Sequence, residues 1–216
     1  MDQIDEYEQG ERVRTWLRNN GSSLIGGVAI GLASLGGWHW WQGQQEQHKV
    51  EAASEFQAFN KAVEAKEDAK AAAHAAALEQ NHPDTPYPAL AAMRRAQLLH
   101  SQGKDEDALK ALDAAAGEQR DPMLSELVKL RSARLLTGMG RHEDAIKRLD
   151  AIPTPAYAAV AAEIRGDAEM ALGRRDAARA AYEKALASLD IAAPTRPMVE
   201  MKLTDAGGSS SAQPEI

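Results

Sequence analysis

Residues 127–154 read LVKLRSARLLTGMGRHEDAIKRLDAIPT, and the same pattern stands on either side of them. Residues 90–117 (LAAMRRAQLLHSQGKDEDALKALDAAAG) and 160–187 (VAAEIRGDAEMALGRRDAARAAYEKALA) superimpose on that stretch when Gly103, Gly140 and Gly173 are aligned. These glycines stand 37 and 33 residues apart. At matching offsets come small residues before the glycine (Ala96, Ala133, Gly166) and after it (Ala108, Ala145, Ala178). A large residue follows at Leu112, Leu149 and Tyr182, then Ala115, Ile152 and Ala185. Small residues belong where two antiparallel helices cross, because a larger side chain would push the backbones apart. The glycine ends the first helix at positive φ, a conformation other residues enter only at a cost. The large residue of the second helix fills the space toward the next unit.

A helix-turn-helix of ~34 residues with small residues, a turn glycine and an aromatic at these places resembles the tetratricopeptide repeat. Two positions depart from its pattern: Glu169 stands where a large apolar residue is usual, and Arg165 where Leu is usual. The chain is therefore expected to be all-α, with a tetratricopeptide-repeat-like α-solenoid of three repeats over residues 83–204. Upstream, residues 44–67 read as one long helix with Val50, Phe56, Phe59 and Val63 on its apolar side, following a break at Gly43. A second helix, 68–80, ends before Pro83, and Pro83, Pro86 and Pro88 predict a loop. Residues 42–82 thus form an irregular first repeat that caps the stack. After Pro194 and Pro197 the short helix PMVEMKL caps the other end, and residues 205–216 are expected to be a disordered tail with nothing to bury.

The remaining N-terminal part has a different chemistry. Between Arg18 and Glu46 there is no formal charge, and residues 22–41 (SSLIGGVAIGLASLGGWHWW) have about the length a helix needs to cross a hydrocarbon core of ~30 Å. Trp16 precedes the span and Trp38, Trp40 and Trp41 close it, where indole rings settle at the headgroup levels. Arg12, Arg14 and Arg18 lie just before it and only Lys49 soon after. The positive-inside bias then makes residues 1–21 cytoplasmic and places the long C-terminal part across the membrane. A cleaved signal peptide fits less well, because the segment before the span is net acidic and three tryptophans follow it. Ser23, Gly27 and Gly31 fall on one face of the span at four-residue spacing, which predicts close packing against another helix, from a copy of itself or from a larger membrane protein.

Composition excludes several function classes. From residue 42 onward 22 basic residues face 27 acidic ones without a basic stripe, so nucleic acid is not an expected partner. There is no Cys, hence no disulfide and no thiol chemistry. His142-Glu143-Asp144-Ala145-Ile146 opens like a zincin helix, but Ile146 occupies the place of the second His. Asp105, Glu106, Asp107, Glu143 and Asp144 fall at starts of second helices, where the helix dipole favours them. No catalytic, metal or cofactor site is read, and the chain is not expected to be an enzyme. Solenoids of this kind bind partners on the concave surface of their first helices. By repeat position Gln97, His100, Arg134, Thr137, Asp167 and Met170 are expected to point into that groove.

The layout as a whole resembles one bacterial family. The anchor NNGSSLIGGVAIGLASLGGWHWWQ, the last repeat IRGDAEMALGRRDAARAAYEKAL and the closing EMKL are similar to the YfgM-like inner-membrane proteins, ancillary subunits of the SecYEG translocon. The resemblance implies a single-pass protein of the bacterial inner membrane with a periplasmic repeat domain. It implies two partners, SecYEG and the membrane-anchored periplasmic chaperone PpiD, and a role in passing newly translocated polypeptides to periplasmic chaperones. The alternative is a membrane-anchored scaffold or regulator of an envelope-stress or cell-division complex that binds no client chains.

Overall fold

Gly103, Gly140 and Gly173 take φ of +75, +76 and +73°, and each ends a helix. The computed structural model describes residues 2–118, 121–152 and 157–209. Among them the regular elements are helices: α1 (Asp2–Glu64), α2 (Asp68–Asn81), α3 (Tyr87–Ser101), α4 (Asp105–Glu118), α5 (Pro122–Gly138), α6 (His142–Asp150), α7 (Ala158–Ala171), α8 (Arg175–Ser188) and α9 (Arg196–Asp205). The chain divides into two compact units, Met1–Glu51 and Ala52–Ile216.

In the second unit the repeat turns share one hydrogen-bond pattern. The N–H groups of Lys104, Arg141 and Arg174 donate to Leu99, Leu136 and Glu169, five residues back, as a glycine-centred helix stop requires. The carbonyls of the same three residues accept the first bonds of the next helix, from Ala108, Ala145 and Ala178. One residue thus closes one helix and opens the next, which fixes the tight hairpin. Ala96, Ala133, Gly166, Ala108, Ala145 and Ala178 are all buried at the crossings, with Leu112, Leu149 and Tyr182 beside them. The core is a series of linked clusters. One joins α3, α4 and α5, two join α5, α6 and α7, the first of these with Leu109 of α4, and another joins α7, α8 and α9. Upstream, Phe59, Ala62, Ala71, Ala75 and Leu78 pack with Ala91 of α3, so the irregular pair before the first repeat shares its core.

The structure changes several boundaries. The helix runs on through Gly43, where a break was expected, because a single glycine costs a helix only about 1 kcal/mol. Its end comes at Glu64, ahead of Lys66 at φ +57°. Pro88 lies in the first turn of α3 rather than in the preceding loop, since its missing N–H would be unpaired there anyway. The tail expected to begin at residue 205 starts too early. Ala206 is buried, Gly207 takes φ +83°, and the Gly208 N–H donates to the Leu203 carbonyl, so α9 stops by the same glycine device as α3, α5 and α7. It follows α8 as each first helix follows the second helix of the preceding repeat. The rest of the tail, residues 210–216, lies outside the described residues, as do Pro153, Thr154 and the side chains of residues 1–13.

Charged pairs tie the repeats together. Arg141 donates to Glu106 at 3.3 Å and to Asp144 at 3.0 Å, and Arg174 donates to Glu143 and Glu169. Each is the residue after a turn glycine reaching back to the preceding second helix. Arg148 grips Asp113 with two bonds of 2.6 and 3.0 Å. The two departures from the repeat pattern are thereby explained: Glu169 is buried but paired with Arg174, and Arg165 meets Asp150 at 2.5 Å.

Candidate partner-binding groove

The first helices of successive repeats, α3, α5 and α7, line a groove of about 410 Å³. From α3 come Met93, Ala96, Gln97 and His100, spaced three and four residues apart so that they share one face. From α5 come Leu127, Leu130, Arg131, Arg134, Leu135 and Gly138, and from α7 Val160 and Ile164. Leu112 of α4 reaches the floor from behind. Met93, Leu112, Leu130 and Ile164 are buried and make that floor apolar, while Gln97, His100, Arg131 and Arg134 are exposed along its rim.

Of the six groove positions expected from the repeat register, Gln97, His100 and Arg134 line the cavity. Thr137, Asp167 and Met170 do not. The Thr137 hydroxyl donates to the Ala133 carbonyl one turn back. Met170 packs against the core between α7, α8 and α9. Asp167 accepts the Tyr182 hydroxyl at 2.9 Å and the Lys202 ammonium at 2.8 Å. Lys202 also donates to Glu163 at 2.7 Å, and Glu163 stands 3.8 Å from Arg134. Burial and then the Asp167 carboxylate push the Tyr182 phenol well above its ordinary value. Burial pulls the Lys202 ammonium down, but its bonds to Asp167 and Glu163 outweigh that and leave it raised. Leu127, Leu130 and Arg131 were not read as groove residues. Their signal was present, because they precede Arg134 by seven, four and three positions on one helix.

His100 Nδ1 lies 2.6 Å from Asp105, so the polar rim is held by the first residue of α4. His142 begins α6, and Ile146 lies in the core with Ala145 and Leu136, as the zincin-like stretch allowed. Among the described residues no three His, Asp or Glu side chains are grouped to hold a metal.

In the N-terminal unit, α1 contains one stretch long and apolar enough to cross a membrane by length and composition. Trp16, Trp38, Trp40 and Trp41 are exposed on it, with the Trp38 and Trp41 rings 5.4 Å apart. Ser23, Gly27 and Gly31 share an exposed face, and a side chain built at either glycine would meet open space.

Residues 14–208 match the family model of a tetratricopeptide repeat-like domain, an extent that includes both the apolar stretch and the repeats. The ancillary SecYEG translocon subunit of Escherichia coli (strain K12) is 31% identical over 202 residues, 93% of this chain and 96% of that protein. The ancillary SecYEG translocon subunit of Haemophilus influenzae is 25% identical over 183 residues, 84% and 89% of the two chains. By this similarity, the helical hairpins and their turn glycines, the chain belongs to the tetratricopeptide repeat-like family of ancillary SecYEG translocon subunits.

Proposed function

We propose that this protein is a single-pass inner-membrane subunit that works beside the SecYEG translocon and binds partners through a periplasmic groove. The observation that carries this reading is the extent of the similarity: it spans the apolar stretch and the repeats together. Trp16 and Trp38, Trp40 and Trp41 mark the two headgroup levels, and the arginines before the span hold the N-terminus in the cytoplasm. The face bearing Ser23, Gly27 and Gly31 meets a membrane helix of the translocon, where small residues let backbones pack closely.

The groove then faces newly translocated chains and the chaperone PpiD, the partner the family resemblance supplies. An apolar floor with a polar rim suits reversible, ATP-independent binding of a polypeptide segment. Tethering raises the effective concentration of such a weak binder next to the channel without any new contact. Handing exported polypeptides to periplasmic chaperones follows from that placement.

Photo-crosslinking in cells from position 27 in the span and position 134 at the groove tests both ends. Translocon subunits captured at the first, with PpiD or exported chains at the second, are the expected result. Self-crosslinks at position 27 and no exported chain or chaperone at position 134 would replace this reading with a membrane-anchored scaffold that takes no clients.

A further inference from the structure

The acids around the groove are held at close range, whereas its arginines are only weakly engaged. Asp105 is held by His100 at 2.6 Å, Glu163 and Asp167 by Lys202 at 2.7 and 2.8 Å. Elsewhere Arg141, Arg148, Arg165, Arg174 and Arg196 each donate to a carboxylate. Arg131 has no ion pair among the described residues, and Arg134 has only Glu163 at 3.8 Å, whose other oxygen Lys202 already holds. The two arginines stand three residues apart on α5, exposed, above the floor made by Leu130 and Ile164. In a chain of net charge −7 this is a local reversal of sign.

We propose that the groove is selective for a partner segment that carries apolar side chains together with carboxylates, the apolar groups seating on the floor and the carboxylates meeting Arg131 and Arg134. This rests on the reading of the groove as a docking surface. A guanidinium presents a planar fork that matches a carboxylate with two bonds, and beside apolar surface such a pair is less screened than in open water. A segment bearing Lys at the same places meets like charge and leaves Arg131 unpaired and Arg134 with only its distant contact to Glu163. The groove therefore discriminates among polypeptides and does not take every unfolded apolar stretch. A segment of a particular acidic partner fits it better than an exported chain chosen at random.

The test uses the full chain in nanodiscs and two fluorescent peptides with the same leucine positions, one flanked by Glu and the other by Lys, compared by anisotropy. The Glu peptide is expected to bind about tenfold tighter or more at low salt, and the preference to shrink as salt rises. Arg131→Gln with Arg134→Gln should level the two affinities, and Arg131→Glu with Arg134→Glu should invert them. Equal affinities in the parent, or a preference that survives the charge inversion, would overturn the charge selectivity and leave the docking surface standing. Binding of neither peptide would overturn the docking surface as well, while crosslinks from position 27 would still report the membrane contact separately.

Discussion

Gly166→Ala adds a single methyl group and should be among the most damaging small changes in the solenoid. A Cβ at this position would lie 2.3 Å from Cε1, 2.6 Å from Cδ1 and 2.8 Å from Cζ of Tyr182. Ordinary carbon–carbon contact is about 3.5–4.0 Å, so the ring must retreat by more than about 1 Å. It has little room to do so: Tyr182 is 2% exposed, packs with Ala162, Ala178 and Val199, and its hydroxyl is tied to Asp167. Overpacking of this kind costs about 1–3 kcal/mol. Displacing the hydroxyl from a charged acceptor adds about 1.5–3 kcal/mol if that bond is lost. Alanine's better helix propensity returns about 1 kcal/mol. With that bond lost the net expectation is about 1.5–5 kcal/mol, or a urea midpoint lower by roughly 1–2 M, given slopes of about 1–3 kcal/mol/M. The other repeats pair Ala96 with Leu112 and Ala133 with Leu149, so Gly166→Ala combined with Tyr182→Leu recreates their pairing and should recover part of the loss. Urea unfolding of the full chain in detergent, followed by circular dichroism, measures both. Hydrogen exchange would locate the weakening in α7, α8 and α9, because repeats couple mainly to their neighbours. An unchanged or raised midpoint for the single variant, or a double variant no better than it, would refute the packing argument.

Alkaline stability has a definite sign. Tyr182 and Lys202 both hold their protons more tightly folded than unfolded, so their contribution is intact below their ordinary values of 10.0 and 10.5 and is lost as pH rises past them. Unfolding midpoints should therefore fall above about pH 10, and Tyr182→Phe should shallow that fall in the same titration. Glu126 is 6% exposed and accepts the backbone N–H of Tyr157 at 3.2 Å, tying the residue that leads into α7 to α5. Glu126→Ala should cost about 1–2 kcal/mol in urea unfolding, whereas Glu126→Gln, which keeps an acceptor oxygen, should cost much less. Gly27→Leu with Gly31→Leu should insert normally but lose co-purification with SecYEG, and unchanged co-purification would move the contact to the repeat unit.

The sequence by itself determined the repeat register. Three glycines, six small crossing residues and three large ones are local requirements: a backbone at positive φ, or two backbones at close approach, admits few residue types. It determined the apolar stretch equally well, because length and absence of charge need no neighbour to be read. A fourth turn glycine, Gly207, followed Gly173 by 34 positions, but GSSSAQPEI after it carries no small-and-large pattern of a second helix, so its segment read as tail. Only the tertiary structure decided which first-helix residues face the groove. Asp167 and Met170 occupy groove positions in the register, yet one is drawn to Lys202 and Tyr182 and the other into the core, contacts between residues far apart in the chain. The same holds for Arg148 with Asp113 and for Glu126 with Tyr157, 35 and 31 residues apart. Side-chain spacing within one helix fixes a face, but which charges are satisfied there depends on the neighbouring helices that the solenoid brings alongside.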